Sequence, residues 1–422
     1  MKISRVALIV PLFSLMACGS DNDDHIDAAI DLRIDHVGDT ATTDTAQDTA
    51  VDAPADVAVD AATDTSTDTA VDAAVDGPKA PRFAATALVL DRFPPDGGTP
   101  DAPTLADGGP IDAADASGPF VDPNLVNPWG LAFNPTGPIW VADNGTGVST
   151  VYASSGLPQP LVVTIPTADG GAPPSAPTGL VFNPTTVFMG DKFIFDSEDG
   201  TIVGWQAGAA GVVRVDNSPA MAVYKGLTMA LRNNISRLYA TDFHNKRVDV
   251  FDANYAKVTT TGGFADPNIP AGFAPFGIQA NGSVIWVTYA KQDAAMHDDV
   301  PGVGNGYVDV FDFDGVLVTR LISQGMLNSP WGLAMAPADF GGFPNALIVG
   351  NFGDGHINAY NATTGALLGS MNDVGGANIV APGLWALVFG NDTPGATHNQ
   401  LFFTAGGAME DRGVLGRIDF VP

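Results

Sequence analysis

Beyond about residue 120 the chain alternates short apolar runs, rich in β-branched and aromatic residues, with clusters of Gly, Pro, Asn and Asp. Runs of that length between turn-forming residues predict strands. They recur in register. Six segments share one apolar motif: NPWGLAF (127–133), APTGLVF (176–182), VYKGLTM (223–229), APFGIQA (274–280), SPWGLAM (329–335) and APGLWALVF (381–389). Gly130, Gly179, Gly226, Gly277 and Gly332 mark the motif at steps of 49, 47, 51 and 55 residues; in the sixth copy the glycine is displaced to Gly383. A second run follows each motif (IWVAD, KFIFD, RLYATD, VIWVTY, ALIVGN, QLFFTAG), then a third, and in most copies a fourth. Copy three offers only a weak fourth candidate near 257–261. Four strands in a period near fifty residues predict an all-β chain folded as a six-bladed β-propeller of four-stranded blades.

The sixth copy ends after its third strand, at Pro422, while the strand-like run 85–90 (ATALVL) stands alone before the first copy. Pairing the two closes the ring and removes an open edge. The segment 94–119 between them reads as a flexible connection.

The N-terminal part has a different pattern. Lys2 and Arg5 precede an apolar run from Val6 to Ala17, too short to span a bilayer and suited to an export signal. It ends in Leu15-Met16-Ala17-Cys18, which resembles the lipobox of bacterial lipoproteins; that resemblance implies cleavage before Cys18 and lipidation of its sulfur. From 19 to 79 there are sixteen Asp, no Glu, and two basic residues, Arg33 and Lys79. The aspartates recur every four residues. On a helix they would repel one another along one face, and no aromatic residue is present to seed a core. The division is therefore 1–17 signal peptide, 18–80 lipid-anchor cysteine and disordered acidic linker, and 81–422 propeller.

The six copies resemble six-bladed propellers of the NHL and TolB type. Stretches such as VDPNLVNPWGLAFNPTGPIWVADNGTG and TYAKQDAAMHDDVPGVGNGYVDVFD are similar to a family of exported bacterial propellers. The resemblance covers about 85–420. It implies the fold and brings no activity with it.

Charge and cysteine count narrow the function. The formal net charge of −29 repels phosphate backbones, so nucleic acid is not an expected partner. A single cysteine excludes a disulfide scaffold. In propellers the loops joining second to third strands share a face with the loops joining blades, around the central channel. Here those loops are polar. Asp143, Asn144, Glu198, Asp242, His244 and Asn351, with Trp129, Trp331 and Trp385 from the motif, are the candidate ligand-binding residues at the channel mouth. Asp143, Asp199, Asp293, His297 and Asp354 are the candidate metal ligands. Oxygen donors of this kind suit calcium; Asp and Asn also stand in such loops simply because they form tight turns. The long fourth-copy loop, 290–306, clusters Asp293, His297, Asp298 and Asp299. A helical turn there would put Asp293 and His297 on one face; a capping role is the plainer alternative. The tryptophans could stack on sugar rings or pack between blades.

Glu occurs only at 198 and 410, and no first strand begins with one, as the calcium-dependent lactonases of the gluconolactonase type would require. There is no GxSxG, HExxH or P-loop sequence. The expectation is a monomeric lipoprotein of the cell envelope, anchored in the outer membrane, presenting its propeller to a protein or glycan ligand. The alternative is a calcium-dependent hydrolase or lactonase acting in the channel. A sugar dehydrogenase with a quinone cofactor fits less well, because only His244 with Arg247 offers a basic pair.

Overall fold

The structure is a computed structural model and describes residues 80–92, 112–113, 119–168 and 174–422. Cys18, the expected export signal, the aspartate repeat and most of the connection 94–119 lie outside the described residues.

Repeats one to five each fold as one antiparallel sheet whose strand order follows the chain; the sixth is completed out of chain order, and Asp112–Ala113, from the connection expected to be flexible, and Phe120–Val121 pair parallel to its outer strand. Blade one comprises Pro128–Phe133, Ile139–Asp143, Val148–Tyr152 and Pro158–Thr164. Blade two comprises Pro177–Phe182, Phe193–Ser197, Thr201–Trp205 and Val212–Asp216. Blade four runs from Phe273–Asn281 to Leu317–Ser323, and blade five from Pro330–Met335 to Leu367–Ser370. Blade six joins Leu384–Phe389, Leu401–Ala405 and Val414–Val421 to Arg82–Leu90, with Leu90 opposite Val414 and Arg82 opposite Val421. The early segment thus supplies the outer strand that the sixth repeat lacks. Contacts between successive first strands run right round the ring and close from blade six to blade one.

Blade three is the exception. It has three strands, Tyr224–Arg232, Ile235–Asp242 and Arg247–Phe251. A fourth is only begun: Lys257 bridges Phe251, the Val258 N–H donates to the Val250 carbonyl at 2.7 Å, and the chain then leaves the sheet.

The motif glycines have a common physical cause. A Cβ on Gly277 would lie 2.1 Å from the Trp331 carbonyl oxygen, one on Gly179 2.3 Å from the Leu227 nitrogen, and one on Gly332 2.4 Å from the Trp385 oxygen. Each glycine lets one inner strand press against the backbone of the next blade. All six inner strands also carry a register shift at this point, the bulge that bends them around the channel. In blade six the residue in register is Ala386, following Trp385, and not the displaced Gly383. Gly383 lies one residue before the strand, at φ +68°. The core lies between neighbouring blades, as where Trp140 of blade one stacks on Phe193 of blade two with centroids 4.0 Å apart.

Candidate functional site: the channel mouth

Six side chains precede the bulge in equivalent positions: Trp129, Thr178, Lys225, Phe276, Trp331 and Trp385. Their strands converge, so the side chains meet in the channel. Trp129 and Trp385 stack at a centroid separation of 3.4 Å. Trp331 stands edge-on to both, and Phe352 from the blade-five loop stacks on Trp385 at 4.1 Å. Phe243 and Phe276 complete this cluster. Aromatic rings packed on one another plug the channel at its loop-face end; between the inner strands a space of about 40 Å³ remains, lined by Leu131, Leu180, Leu227, Leu333 and Leu387 among others.

Lys225 is the charged member of the ring, and its side chain is 2% exposed. Its ammonium pairs with the Glu198 carboxylate, lies 3.2 Å from Asp298 Oδ1, and sits 5.1 Å from the centre of the Trp129 ring. Trp331 Nε1 donates to the Lys225 carbonyl at 2.7 Å, fixing blade five to blade three across the opening. Burial pulls the lysine pKa down, but the Glu198 and Asp298 carboxylates outweigh it and hold the group above the ordinary lysine value.

From Glu198 the network continues around the rim. Asn144 Nδ2 donates to Glu198 Oε2 at 3.0 Å, and Asn127 Nδ2 donates to Glu410 Oε2 at 2.9 Å and to Asn144 Oδ1 at 3.3 Å. Trp385 Nε1 donates to Asn127 Oδ1 at 3.0 Å. Both glutamates of the chain therefore face this network. Burial raises the Glu410 pKa, and the Asn127 hydrogen bond works against it. On the far side, Asp298 meets His297 Nδ1 at 2.8 Å; that contact depresses the Asp298 carboxyl and raises the His297 pKa.

The structure thus brings together Asn144, Glu198, Trp129, Trp331, Trp385 and His297. It places the other candidates elsewhere. Asp143 is fully buried and turned into its own blade, accepting from Thr150 Oγ1 at 2.8 Å. Asp242 is buried against Asn245 and Arg247 of its own blade, and His244 stands partly exposed on that loop. Asn351 donates to the Met326 carbonyl at 2.7 Å. Asp199 closes its turn on Ser197 and Thr201. Asp354 pairs with His356 and Asn328. Asp293 caps a turn rather than a helix, accepting the His297 N–H at 2.9 Å. The proposed ligands Asp143, Asp199, Asp293 and Asp354 do not converge on one point: they accept, respectively, from Thr150, from Ser197 and Thr201, from the His297 N–H, and from Asn328. Among the described residues, Glu198, His297 and Asp298 could bring donor atoms within 4.8 Å of one another for a metal. Lys225 already occupies the cation's place between two of them. Sequence reasoning missed Lys225 and Glu410. The signal for Lys225 was the repeat itself, which sets a lysine in an otherwise mostly aromatic column.

Several buried carboxylates titrate in the neutral range. Burial pushes Asp196 up to about 7, Asp309 up to about 7 and Asp299 up to about 6. An acid with a raised folded pKa contributes stability below the ordinary carboxylate range and loses it as pH rises through the folded value. His297 and His356, also raised, act in the same direction. The lowered groups, Asp298 and Asp354, lose their contribution only at more acid pH. The thermal midpoint is therefore expected to fall as pH rises from about 5 to about 8. Asp196→Asn keeps an acceptor for the Gly179 N–H and should flatten that slope by up to one proton, about 1.4 kcal/mol per pH unit. A midpoint that rises over this window would contradict the assignment.

No protein-family model matches the chain. An uncharacterised protein of Acanthamoeba polyphaga mimivirus is 31% identical over 316 residues, spanning 70% of this chain and 76% of that protein. A second from the same virus is 32% identical over 286 residues, spanning 63% and 74%. These relatives are viral, where the resemblance in the sequence pointed to exported bacterial propellers. Among solved structures, a virginiamycin B lyase from Staphylococcus aureus is 16% identical over 73% of this chain and 86% of its own, with a TM-score of 0.46. A gluconolactonase from Xanthomonas campestris is 13% identical over 71% and 89%, with a TM-score of 0.44. Neither likeness bears on activity. By sequence, the chain belongs to the same family as the two mimivirus proteins.

Proposed function

We propose that this is a lipid-tethered, exported binding protein whose propeller presents its loop face to a protein or glycan partner. The observation that carries this reading is the closed mouth. The centre of the face is filled by stacked rings, and its buried cation is paired within the chain, which leaves the surrounding loops as the surface on offer. A hydrolase working in the channel, with or without calcium, would need an opening where these rings pack. Topology supports the tether. Val414 begins at the loop face and pairs with Leu90, so Arg82, opposite Val421, lies at the other face. The described strand that completes blade six therefore begins on the side away from the loops.

Two measurements test the reading with the full-length chain. Expressed in a bacterial host, it should sediment with membranes and be released by detergent, and Cys18→Ser should move it to the soluble fraction. Membrane binding by one acyl chain alone is marginal, so removing the modified sulfur should abolish anchoring rather than weaken it. Screened on glycan and protein arrays and against lactone and phosphoester panels, the protein should show saturable retention of a partner without turnover. EDTA-sensitive turnover with no retained partner would overturn the proposal.

A further inference from the structure

Beneath the aromatic plug the channel does not close. The residue that follows the bulge is aliphatic in every blade: Leu131, Leu180, Leu227, Ile278, Leu333 and Leu387. All six line the space of about 40 Å³ between the inner strands, and each keeps between 3% and 7% of its surface exposed, as the wall of a narrow passage does. Trp331 belongs to the same wall, so the passage begins directly under the plug.

The passage leads away from the loop face. Gln279, Leu333, Leu387 and Val388 line both it and a second space of about 210 Å³, at the far ends of the inner strands of blades four, five and six. Trp286, Met335 and Phe389 give this second space apolar walls, and Gln279 and Asn281, both exposed, stand at its opening. Gln279 Nε2 donates to the Ala280 carbonyl at 3.2 Å, which leaves the amide oxygen available. The Asn281 side chain has no hydrogen-bond partner among the described residues. None of the residues lining either space is charged. The end of the channel away from the loops is therefore a narrow aliphatic stem that widens to a mouth carrying uncharged amides.

We propose that this end of the channel binds a straight-chain amphiphile with an uncharged head, of the class of primary n-alkyl alcohols. The alkyl chain threads the ring of six aliphatic side chains toward Trp331, and the hydroxyl stays at the mouth with Gln279 and Asn281. Cavities lined by Leu and Ile stay dry and take up apolar molecules. A stem of about 40 Å³ admits a thin chain and turns away a ring of the same carbon number. A carboxylate head would find no cation in the lining, and from residue 81 onward the chain carries 31 Asp and Glu against 14 Lys and Arg. The site lies at the opposite end of the axis from the loop face, so it is independent of the partner binding proposed above.

The test is calorimetric titration of the detergent-free, full-length protein with 1-hexanol, 1-heptanol, 1-octanol, cyclooctanol and octanoate. 1-Octanol should saturate a single site at or below about 1 mM. Each methylene added from hexanol to octanol should tighten binding about fourfold, the gain from burying one CH₂. Cyclooctanol and octanoate should each bind at least about tenfold more weakly than 1-octanol. Gln279→Trp places a bulky ring at the mouth from an exposed position; it should weaken 1-octanol at least about tenfold while leaving the thermal midpoint unchanged. An affinity that ignores chain length would mean adsorption at the surface, and cyclooctanol binding as tightly as 1-octanol would mean an open apolar groove. Either result overturns the proposal, as does equal binding of octanoate, unchanged binding in the variant, or no saturable heat with any of the alcohols.

Discussion

Gly277→Ala is expected to lower the unfolding free energy by at least about 3 kcal/mol, the upper range for overpacking. The new Cβ would stand 2.1 Å from the Trp331 carbonyl oxygen and 2.9 Å from its carbonyl carbon. These are backbone atoms of the next inner strand, and the Trp331 indole is itself bonded to the Lys225 carbonyl across the channel. Neither partner can swing aside as the end of a long side chain would. A graded series checks the cause. Gly226→Ala, whose Cβ would stand 2.9 Å from the Phe276 oxygen, should lose only about 1 kcal/mol. Denaturant midpoints at an unchanged slope would report both values. Equal losses at the two positions would mean that the glycines serve some other need, such as the bulge conformation alone.

The ring was readable because its cause is repeated. Six copies of a glycine motif at nearly even steps record six inner strands in close approach, and the unpaired run near Val89 had one vacant edge to fill. The sixth copy misled at one point. The eye follows a glycine to Gly383, but the strand register is set by Trp385 and Leu387, which puts Ala386 at the bulge. The junction between blades six and one tolerates a Cβ where the others do not.

The mouth was only half readable, for a different reason. Polar loop residues announce a face, but their types do not say which way each side chain turns. Asp143 and Asp242 have the residue type and position of a ligand, yet both close hydrogen bonds within their own blades. Asn144, one residue further on, reaches the rim. Lys225 was overlooked because a lysine inside an apolar motif reads as a surface residue until its two carboxylate partners, one 27 and one 73 residues distant, are placed beside it.

Lys225→Met tests that placement most directly. Methionine fills similar space among Trp129 and Phe243, so the packing change is small and the effect is electrostatic. Glu198 and Asp298 lose their shared cation. Removing one partner of a buried pair costs about 3–5 kcal/mol. The Asp298 side chain is 66% exposed and water takes over much of its share, so a loss near about 3 kcal/mol, the low end, is expected. Glu198 bears most of it, with its side chain 15% exposed and Asn144 as its remaining donor. Glu198→Gln in the same chain should recover a large part of the loss, because the amide oxygen still accepts from Asn144 and no uncompensated charge remains. The loop 290–306 supplies a local readout. Gln292 Nε2 still holds the Phe243 carbonyl, and the Gly302 N–H still donates to Asn328, each at 2.6 Å, so the loop ends stay fixed. Amide exchange should rise only over 293–299, where Asp298 made the connection to the ring. A single variant as stable as the parent, with exchange over 293–299 unchanged, would show that the aromatic stack closes the mouth without help from the charge.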